Sequence, residues 1–343
     1  MRYPDWWERR MQSEGTLLLH RSDVDRLLSL SECIGAVEEV FRLSGEGKIP
    51  PAGILGIKAA HGGLHVKAGL LPGRRNYVVA KLNTNFPGNR TLMSLPTIQG
   101  LIVLCDGDNG VPLAVLDSID ITIKRTAAAS AVAAKYLARP DSSVATICGC
   151  GRQARAQLHA LGTVLPCRKI YAFDLDQSAA QDLALELSKE MKVEIEPVRD
   201  LRAALQKSHV CITCTTADKF FVRKEDVAPG TFIAAVGADD AHKQEIDPAL
   251  MASAKVVADH LEQSCAIGDT HHAIAQGLMR KKDVYSELSE IVARRKPGRT
   301  SDKEIIIFDS TGVAMEDAVA AAAVYEKASA AGIGLRFDFA GPS

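Results

Sequence analysis

From Val144 to Ala154 the chain reads Val-Ala-Thr-Ile-Cys-Gly-Cys-Gly-Arg-Gln-Ala, a strand-forming run, two glycines one residue apart, and the opening of a helix. No other segment narrows the fold as far. A parallel strand that turns on Gly149-Cys150-Gly151 into a helix is the first unit of a doubly wound sheet. Gly149 permits the tight turn, Gly151 lets the backbone approach a pyrophosphate, and the small Ala154 lets helix and strand pack closely. Arg152 and Gln153 stand in the first helical turn, where unpaired N–H groups and the helix dipole favour phosphate. The next apolar run, Lys169–Phe173, ends at Asp174, 25 residues past Gly149. A carboxylate there accepts ribose hydroxyls and repels a 2′-phosphate, which favours NAD(H) over NADP(H). The alternative for Asp174 is a helix cap.

The pattern around this unit is βαβ from Pro140 onward. Apolar runs at Val210–Cys214, Phe232–Val236, Val256–Ala258 and Ile305–Phe308 join helical stretches such as 152–163 and Ser178–Lys189. They predict an α/β fold with a Rossmann doubly wound parallel sheet. The first third differs. Thr16–Leu19 reads as a strand, Ser22 as the cap of a helix, and a second helix runs from about Ser31 to Gly45 and Gly47. Leu64–Val66 and Tyr77–Ala80 are strands, and Leu101–Leu104 and Val111–Leu116 flank the hairpin turn Asp106-Gly107-Asp108-Asn109-Gly110. Ala-rich helices follow at about Arg125–Leu137 and Met315–Ala331. With 343 residues the chain has room for about two domains of roughly 150.

Charge excludes one class of partner: 41 Lys and Arg against 42 Asp and Glu give no broadly basic surface for nucleic acid. A chain that is 47% hydrophobic and 24% charged is not a disordered one. No apolar run approaches the roughly 20 residues of a membrane span, and the charged start, Met1 to Arg10, lacks the apolar stretch of a signal peptide. These features point to a cytoplasmic protein. Residues 1–15 carry both tryptophans and read as an arm. The eight cysteines are expected as free, buried thiols, because Cys211-Ile212-Thr213-Cys214 lies inside an apolar run without a second ligand pair. His271 and His272 point apart on any regular element, so no metal is expected.

A nicotinamide needs a substrate carbon to exchange hydride with and a polar group to manage the proton. Lys81 ends an apolar strand; it is either solvated or, facing a cleft, desolvated and fitted for proton transfer. Arg125 opens the helix between the domains and is either a surface ion-pair partner or a bidentate clamp for a carboxylate. Asp239 follows an apolar strand at the carboxyl edge of the sheet, as a loop cap or a ligand. Thr215 stands just beyond a strand, where turns and cofactor contacts both occur, and Ser310 stands where it caps the helix before Met315.

Taken together these segments resemble the ornithine cyclodeaminase/μ-crystallin family, from about Leu17 to Tyr325. The motifs are Lys81…Pro87-Gly88-Asn89, Thr122-Ile123-Lys124-Arg125-Thr126-Ala127-Ala128, Gly149-Cys150-Gly151, Val236-Gly237-Ala238-Asp239 with Lys243-Gln244-Glu245, and Asp309-Ser310-Thr311-Gly312…Glu316-Asp317. The resemblance implies an α+β domain for substrate binding and dimerisation, 1–124 with 312–343, and an NAD-binding Rossmann domain, 125–311. It implies a homodimer, a small amino or imino acid as substrate, and chemistry at the Cα–N bond of an L-amino acid or its imine. By the resemblance Lys81 is the acid/base or imine-polarising group, Arg125 the carboxylate clamp, and Asp239 the carboxylate that orients an amine. Gly237 and Ser310 fall in its cofactor motifs. The family often has Pro-Pro-Arg where this chain has Pro50-Pro51-Ala52, and that arginine helps hold the carboxylate. Lys67, in His65-Val66-Lys67-Ala68-Gly69, is the candidate replacement, with a surface lysine as the alternative. Three readings stay open: an imine reductase or amino acid dehydrogenase, an ornithine cyclodeaminase, and a non-catalytic ligand-binding protein.

Overall fold

The computed structural model describes residues 15–339, so the expected arm lies outside the described residues except for Gly15. In chain order the strands are β1 (Thr16–Leu19), β2 (Gly53–Ala59), β3 (Gly62–Leu71), β4 (Tyr77–Asn85), β5 (Ile98–Asp106), β6 (Pro112–Asp117), β7 (Val144–Cys148) and β8 (Lys169–Phe173). They continue with β9 (Glu194–Val198), β10 (Val210–Thr213), β11 (Phe232–Ala235), β12 (Lys255–Ala258), β13 (Ser286–Glu287), β14 (Ile306–Asp309) and β15 (Leu335–Phe337).

Two compact units contain these elements. One consists of Ile49–Thr122 with the described parts of Met1–Ser29 and Asp317–Ser343; the other of Leu30–Lys48 and Ile123–Glu316. The sequence reading put residues 30–48 in the first domain. The structure groups them with the second, because the helix Leu30–Gly45 is anchored there: Glu38 accepts hydrogen bonds from Lys135 Nζ at 2.8 Å and Tyr136 Oη at 2.6 Å.

In the first unit the sheet order is β15-β1-β6-β5-β4-β3-β2. The run β2-β3-β4-β5-β6 is antiparallel throughout, while β1 pairs parallel with β6 and antiparallel with β15. Alternation sorts its two faces. On β4, Tyr77, Val79 and Lys81 are buried, whereas Val78 and Leu82 are 42% and 36% exposed. Cross-strand register puts the exposed Leu101 of β5 and Leu55 and Ile57 of β2 on the same outer face as Val78 and Leu82.

In the second unit the order is β13-β12-β14-β11-β10-β7-β8-β9, and every pair is parallel. Ile147, Cys148, Cys211, Ile212, Ile233, Ile307 and Phe308 are buried in an unbroken apolar centre, which is what a sheet covered on both faces by helices requires. The strand order reverses at β7: the chain goes to β8 and β9 on one side and to β10 on the other. In open α/β sheets ligands bind outside the carboxyl ends of strands at that point.

Two local expectations are corrected. The first helix is Arg21–Leu27, capped by His20 rather than Ser22, because the Asp23 carboxylate reaches back 3.1 Å to the His20 N–H. The helix expected from Arg125 begins at Ile119, where the Asp117 carboxylate accepts the Ile119 N–H at 2.9 Å.

Candidate dinucleotide and substrate site

The strand β7 is followed by Gly149, at φ +87°, whose N–H donates to the Phe173 carbonyl at 2.9 Å. Gly151 is the N-cap of the helix Arg152–Val164 and brings no side chain to cap it, and a helix N-terminus of this kind suits an anion. Arg152 is exposed on the first turn, Gln153 Nε2 donates to the Ile123 carbonyl at 3.3 Å, and Ala154 is fully buried against the sheet. Asp174 Oδ2 accepts the Cys150 N–H at 2.7 Å, and Oδ1 accepts the Asp176 N–H at 2.9 Å. The acid expected at the ribose therefore also ties the glycine turn to the end of β8. Each carboxylate oxygen keeps a further lone pair for a sugar hydroxyl.

Beyond the neighbouring strands lie Thr215, Gly237 and Ser310. Thr215 donates to Glu245 Oε1 from its N–H and its Oγ1, both at 2.7 Å, and the Gly237 N–H donates to Glu245 Oε2 at 2.8 Å. Ser310 is 3% exposed; its N–H donates to the Ala235 carbonyl at 2.9 Å, while its Oγ has no hydrogen-bond partner. An orphaned buried hydroxyl at the sheet edge and a glycine-capped helix N-terminus suit a dinucleotide. These residues fit the group.

The cationic candidates are both buried. In the first unit Lys81 Nζ, on a residue 4% exposed, lies 2.7 Å from Asp317 Oδ2. Lys67 stands directly opposite Lys81 in the β3–β4 register, so the two side chains leave the same face of the sheet. Ile54, two residues after Ala52, is the β2 partner of Lys67. In the second unit Arg125, 5% exposed, donates from Nη1 to Glu316 Oε2 at 2.9 Å. Its guanidinium lies over the turn after β14. There the Asp259 carboxylate takes the Thr311 and Gly312 N–H groups, each at 2.6 Å, and Gln263 Nε2 donates to the Gly312 carbonyl at 2.8 Å.

The sequence reading assigned no role to Glu316 or Asp317, consecutive residues that open the helix Ala314–Ala331 and each hold one of the two cations. The available signal was two acids side by side in an otherwise Ala-rich helix. Burying an ion costs several kcal/mol unless it is paired, and each cation here has its counter-charge. Asp239 stands apart from this pattern: it is exposed and forms an ion pair with Lys243 at 2.5 Å.

The remaining polar candidates are quiet. All eight cysteines are free thiols, and burial pushes Cys150 up to about 12, so it is protonated beside the glycine turn. His271 and His272 meet backbone carbonyls of Cys265 and Lys243, at 3.3 Å and 2.8 Å. No described helix is long and apolar enough to cross a membrane.

Comparison with known proteins decides the family. Residues 14–332 match the model of the ornithine cyclodeaminase/mu-crystallin family. The chain belongs to that family. It is 37% identical over 325 residues to the alanine dehydrogenase of Archaeoglobus fulgidus, covering 94% of this chain and 98% of that one. Its structure is similar to an archaeal alanine dehydrogenase dimer with bound NAD, with TM-score 0.90, 37% identity, and 95% and 99% of the two chains covered. It is also similar to the Thermococcus litoralis Δ1-pyrroline-2-carboxylate reductase in complex with NADH and L-proline, with TM-score 0.87, 35% identity, and 94% and 100% covered.

Proposed function

We propose that this protein is an NAD(H)-dependent oxidoreductase that moves hydride between the dinucleotide and the Cα of a small L-amino acid or its imine, open or cyclic. The observation that carries the reading is the set of two buried ion pairs, Lys81–Asp317 and Arg125–Glu316, whose acids are neighbours in the chain. Four buried charges are an expensive way to stabilise a fold. They are the groups an amino acid needs: a guanidinium for its carboxylate and an ammonium beside its nitrogen. The named relatives, an alanine dehydrogenase and a cyclic-imine reductase, act on substrates of this kind.

In this reading the dinucleotide supplies hydride donor and acceptor. Gly149, Gly151, Arg152, Gln153 and Ala154 hold its pyrophosphate, Asp174 its ribose, and Thr215, Gly237 and Ser310 its nicotinamide end. Arg125 grips the substrate carboxylate and Lys81 gives a proton to, or takes one from, the reacting nitrogen. Lys67 adds positive charge beside Lys81, where Ala52 offers none, and Asp239 orients the amine. The register that sets Lys67 against Lys81 favours this over a lysine on the outer face. A Lys67→Ala variant is expected to raise KM for the amino or imino acid with little change in kcat; unchanged KM removes Lys67 from the site.

The assembly we propose is a homodimer through the outer apolar face of β2 to β5, where Leu55, Ile57, Val78, Leu82 and Leu101 are exposed. The similar alanine dehydrogenase structure is a dimer. A cytoplasmic location suits eight free thiols.

The test follows NADH absorbance over pyruvate with ammonia or amines, cyclic imines, and L-amino acids. Turnover with NADH and little with NADPH supports the proposal. Ammonia release from ornithine with no net change in NADH makes the chain a cyclodeaminase. Dinucleotide binding without turnover on any of these makes it a ligand-binding protein.

A further inference from the structure

Behind the strand ends of the second unit runs a chain of fully buried carboxylates that none of the catalytic assignments uses. Asp309, the last residue of β14, accepts the Asp269 N–H at 3.2 Å and the Thr270 N–H and Oγ1 at 3.0 and 2.6 Å. Asp269 Oδ1 in turn accepts the N–H groups of Glu245 and Ile246 at 2.8 and 2.9 Å. Glu245 completes the series. Its Oε2 takes Thr213 Oγ1 at 2.6 Å and the Gly237 N–H at 2.8 Å, and its Oε1 takes the Thr215 N–H and Oγ1 at 2.7 Å. A single carboxylate therefore fastens the loop after β10 to the loop after β11.

Two features make the fastening specific. Each Glu245 oxygen receives one backbone N–H, from Thr215 on one side and Gly237 on the other. A glutamine, in either orientation, must turn its NH2 against one of these donors. The approach is also too close for any side chain at position 237: a Cβ on Gly237 would stand 2.5 Å from Glu245 Cδ and 2.5 Å from the Thr215 carbonyl oxygen. Glu245 is completely buried, so it cannot itself touch a ligand from solvent.

We propose that Glu245 is a positioning residue for the dinucleotide, setting the separation of the Thr215 and Gly237 loops on which the nicotinamide end rests. Asp269 and Asp309 hold Glu245 in place by gripping its backbone and the helix beneath it. The inference rests on the dinucleotide reading given above and deepens it: two of the cofactor-facing loops are built from behind by one acid.

The test is calorimetric titration of full-length wild-type and Glu245→Gln protein with NAD+, together with kinetics in NAD+ and thermal unfolding. The expected result is a Kd and KM for NAD+ raised at least tenfold, with kcat recovered to within about threefold at saturating NAD+. A residue that merely stabilises the fold would lower the melting temperature and the active fraction, and leave Kd in the folded fraction unchanged. Thr213→Val, which removes one of the four donors and leaves the charge, is expected to raise Kd about threefold and serves if Glu245→Gln does not fold. Folded Glu245→Gln, or Thr213→Val, with wild-type Kd overturns the inference. Wild-type protein that does not bind NAD+ at all overturns the dinucleotide reading instead.

Discussion

Substitution of Gly312 by alanine tests the carboxylate clamp proposed for Arg125. Gly312 has φ +74°, a conformation that costs an L-residue roughly 1–2 kcal/mol. A Cβ there would stand 2.5 Å from Nη1 and 2.9 Å from Nη2 of Arg125. Non-bonded contacts become comfortable near about 3.5 Å, so the guanidinium must retreat by about 1 Å. Its Nη1 sits 2.9 Å from Glu316 Oε2, and a retreat of that size breaks this bond or reorients it. The turn cannot yield instead, since Asp259 and Gln263 fix Gly312 on both its N–H and its carbonyl. A hydrogen bond to a charged group contributes about 1.5–3 kcal/mol, which as lost grip on a substrate carboxylate is a fall of about 10- to 150-fold in kcat/KM. The assay is initial rates against the amino or imino acid at saturating NAD(H), with NAD+ affinity measured calorimetrically and expected unchanged. A Gly312→Ala protein that is less stable yet keeps wild-type kcat/KM and KM would refute the placing of Arg125 as clamp.

Three further outcomes follow from the same geometry. Lys81→Met takes away the counter-charge 2.7 Å from the buried Asp317 and is expected to cost about 3–5 kcal/mol of stability and at least 100-fold in kcat. The double variant Lys81→Met/Asp317→Asn should regain stability without regaining turnover, measured by urea unfolding and steady-state rates; recovery of both makes Lys81 structural. Leu82→Glu, on the exposed face of β4, is expected to give monomers in light scattering, and an intact dimer would move the interface elsewhere. Burial pushes Asp309 up to about 6, so between about pH 4 and 6 the folded state keeps a proton that the unfolded chain has lost. Its contribution to stability therefore falls as pH rises through that window and is level above it. Asp309→Asn should flatten that slope in melting curves, and an unchanged slope assigns it to other groups.

How far the sequence could be read depended on where each segment lies. The strands Val144–Cys148 and Lys169–Phe173 were legible to the residue, because central parallel strands are covered on both faces and spell continuous apolar runs. The strand β2, Gly-Ile-Leu-Gly-Ile-Lys-Ala, went unread: every residue is exposed, so nothing in it alternates. The edge strand β9, Glu-Ile-Glu-Pro-Val, was hidden by its two acids and its proline, which edge positions tolerate. The helix Leu30–Gly45 was read as a helix but placed in the wrong unit, since its periodicity fixes a buried face and not what that face meets. The site divides the same way. Lys81 and Arg125 stand out by position, one at a strand and one at a helix, whereas their ion-pair partners Asp317 and Glu316 lie 236 and 191 residues further on and no local pattern links them. Asp239 reads in the sequence as a loop cap or a ligand, and Lys243, four residues later in the same motif, forms an ion pair with it.

The carboxylates behind the strand ends share one physical task. Parallel strands that stop at the same edge leave backbone N–H groups in the following turns with no strand to bond. In this chain carboxylates take them: Asp174 holds Cys150, Glu245 holds Thr215 and Gly237, Asp309 holds Asp269 and Thr270, and Asp259 holds Thr311 and Gly312. A charged acceptor serves better than a neutral one, because a carboxylate offers two oxygens to two donors and cannot present a competing N–H. The turns are then fixed when the protein folds, and the ordering entropy is not charged against ligand binding. Loops held only by a ligand would have inverted that order. They would show their polar backbone unmet without it, and substitutions behind them would be silent in its affinity. Here Glu245, an acid that touches no solvent, is the one whose loss should reach the dinucleotide.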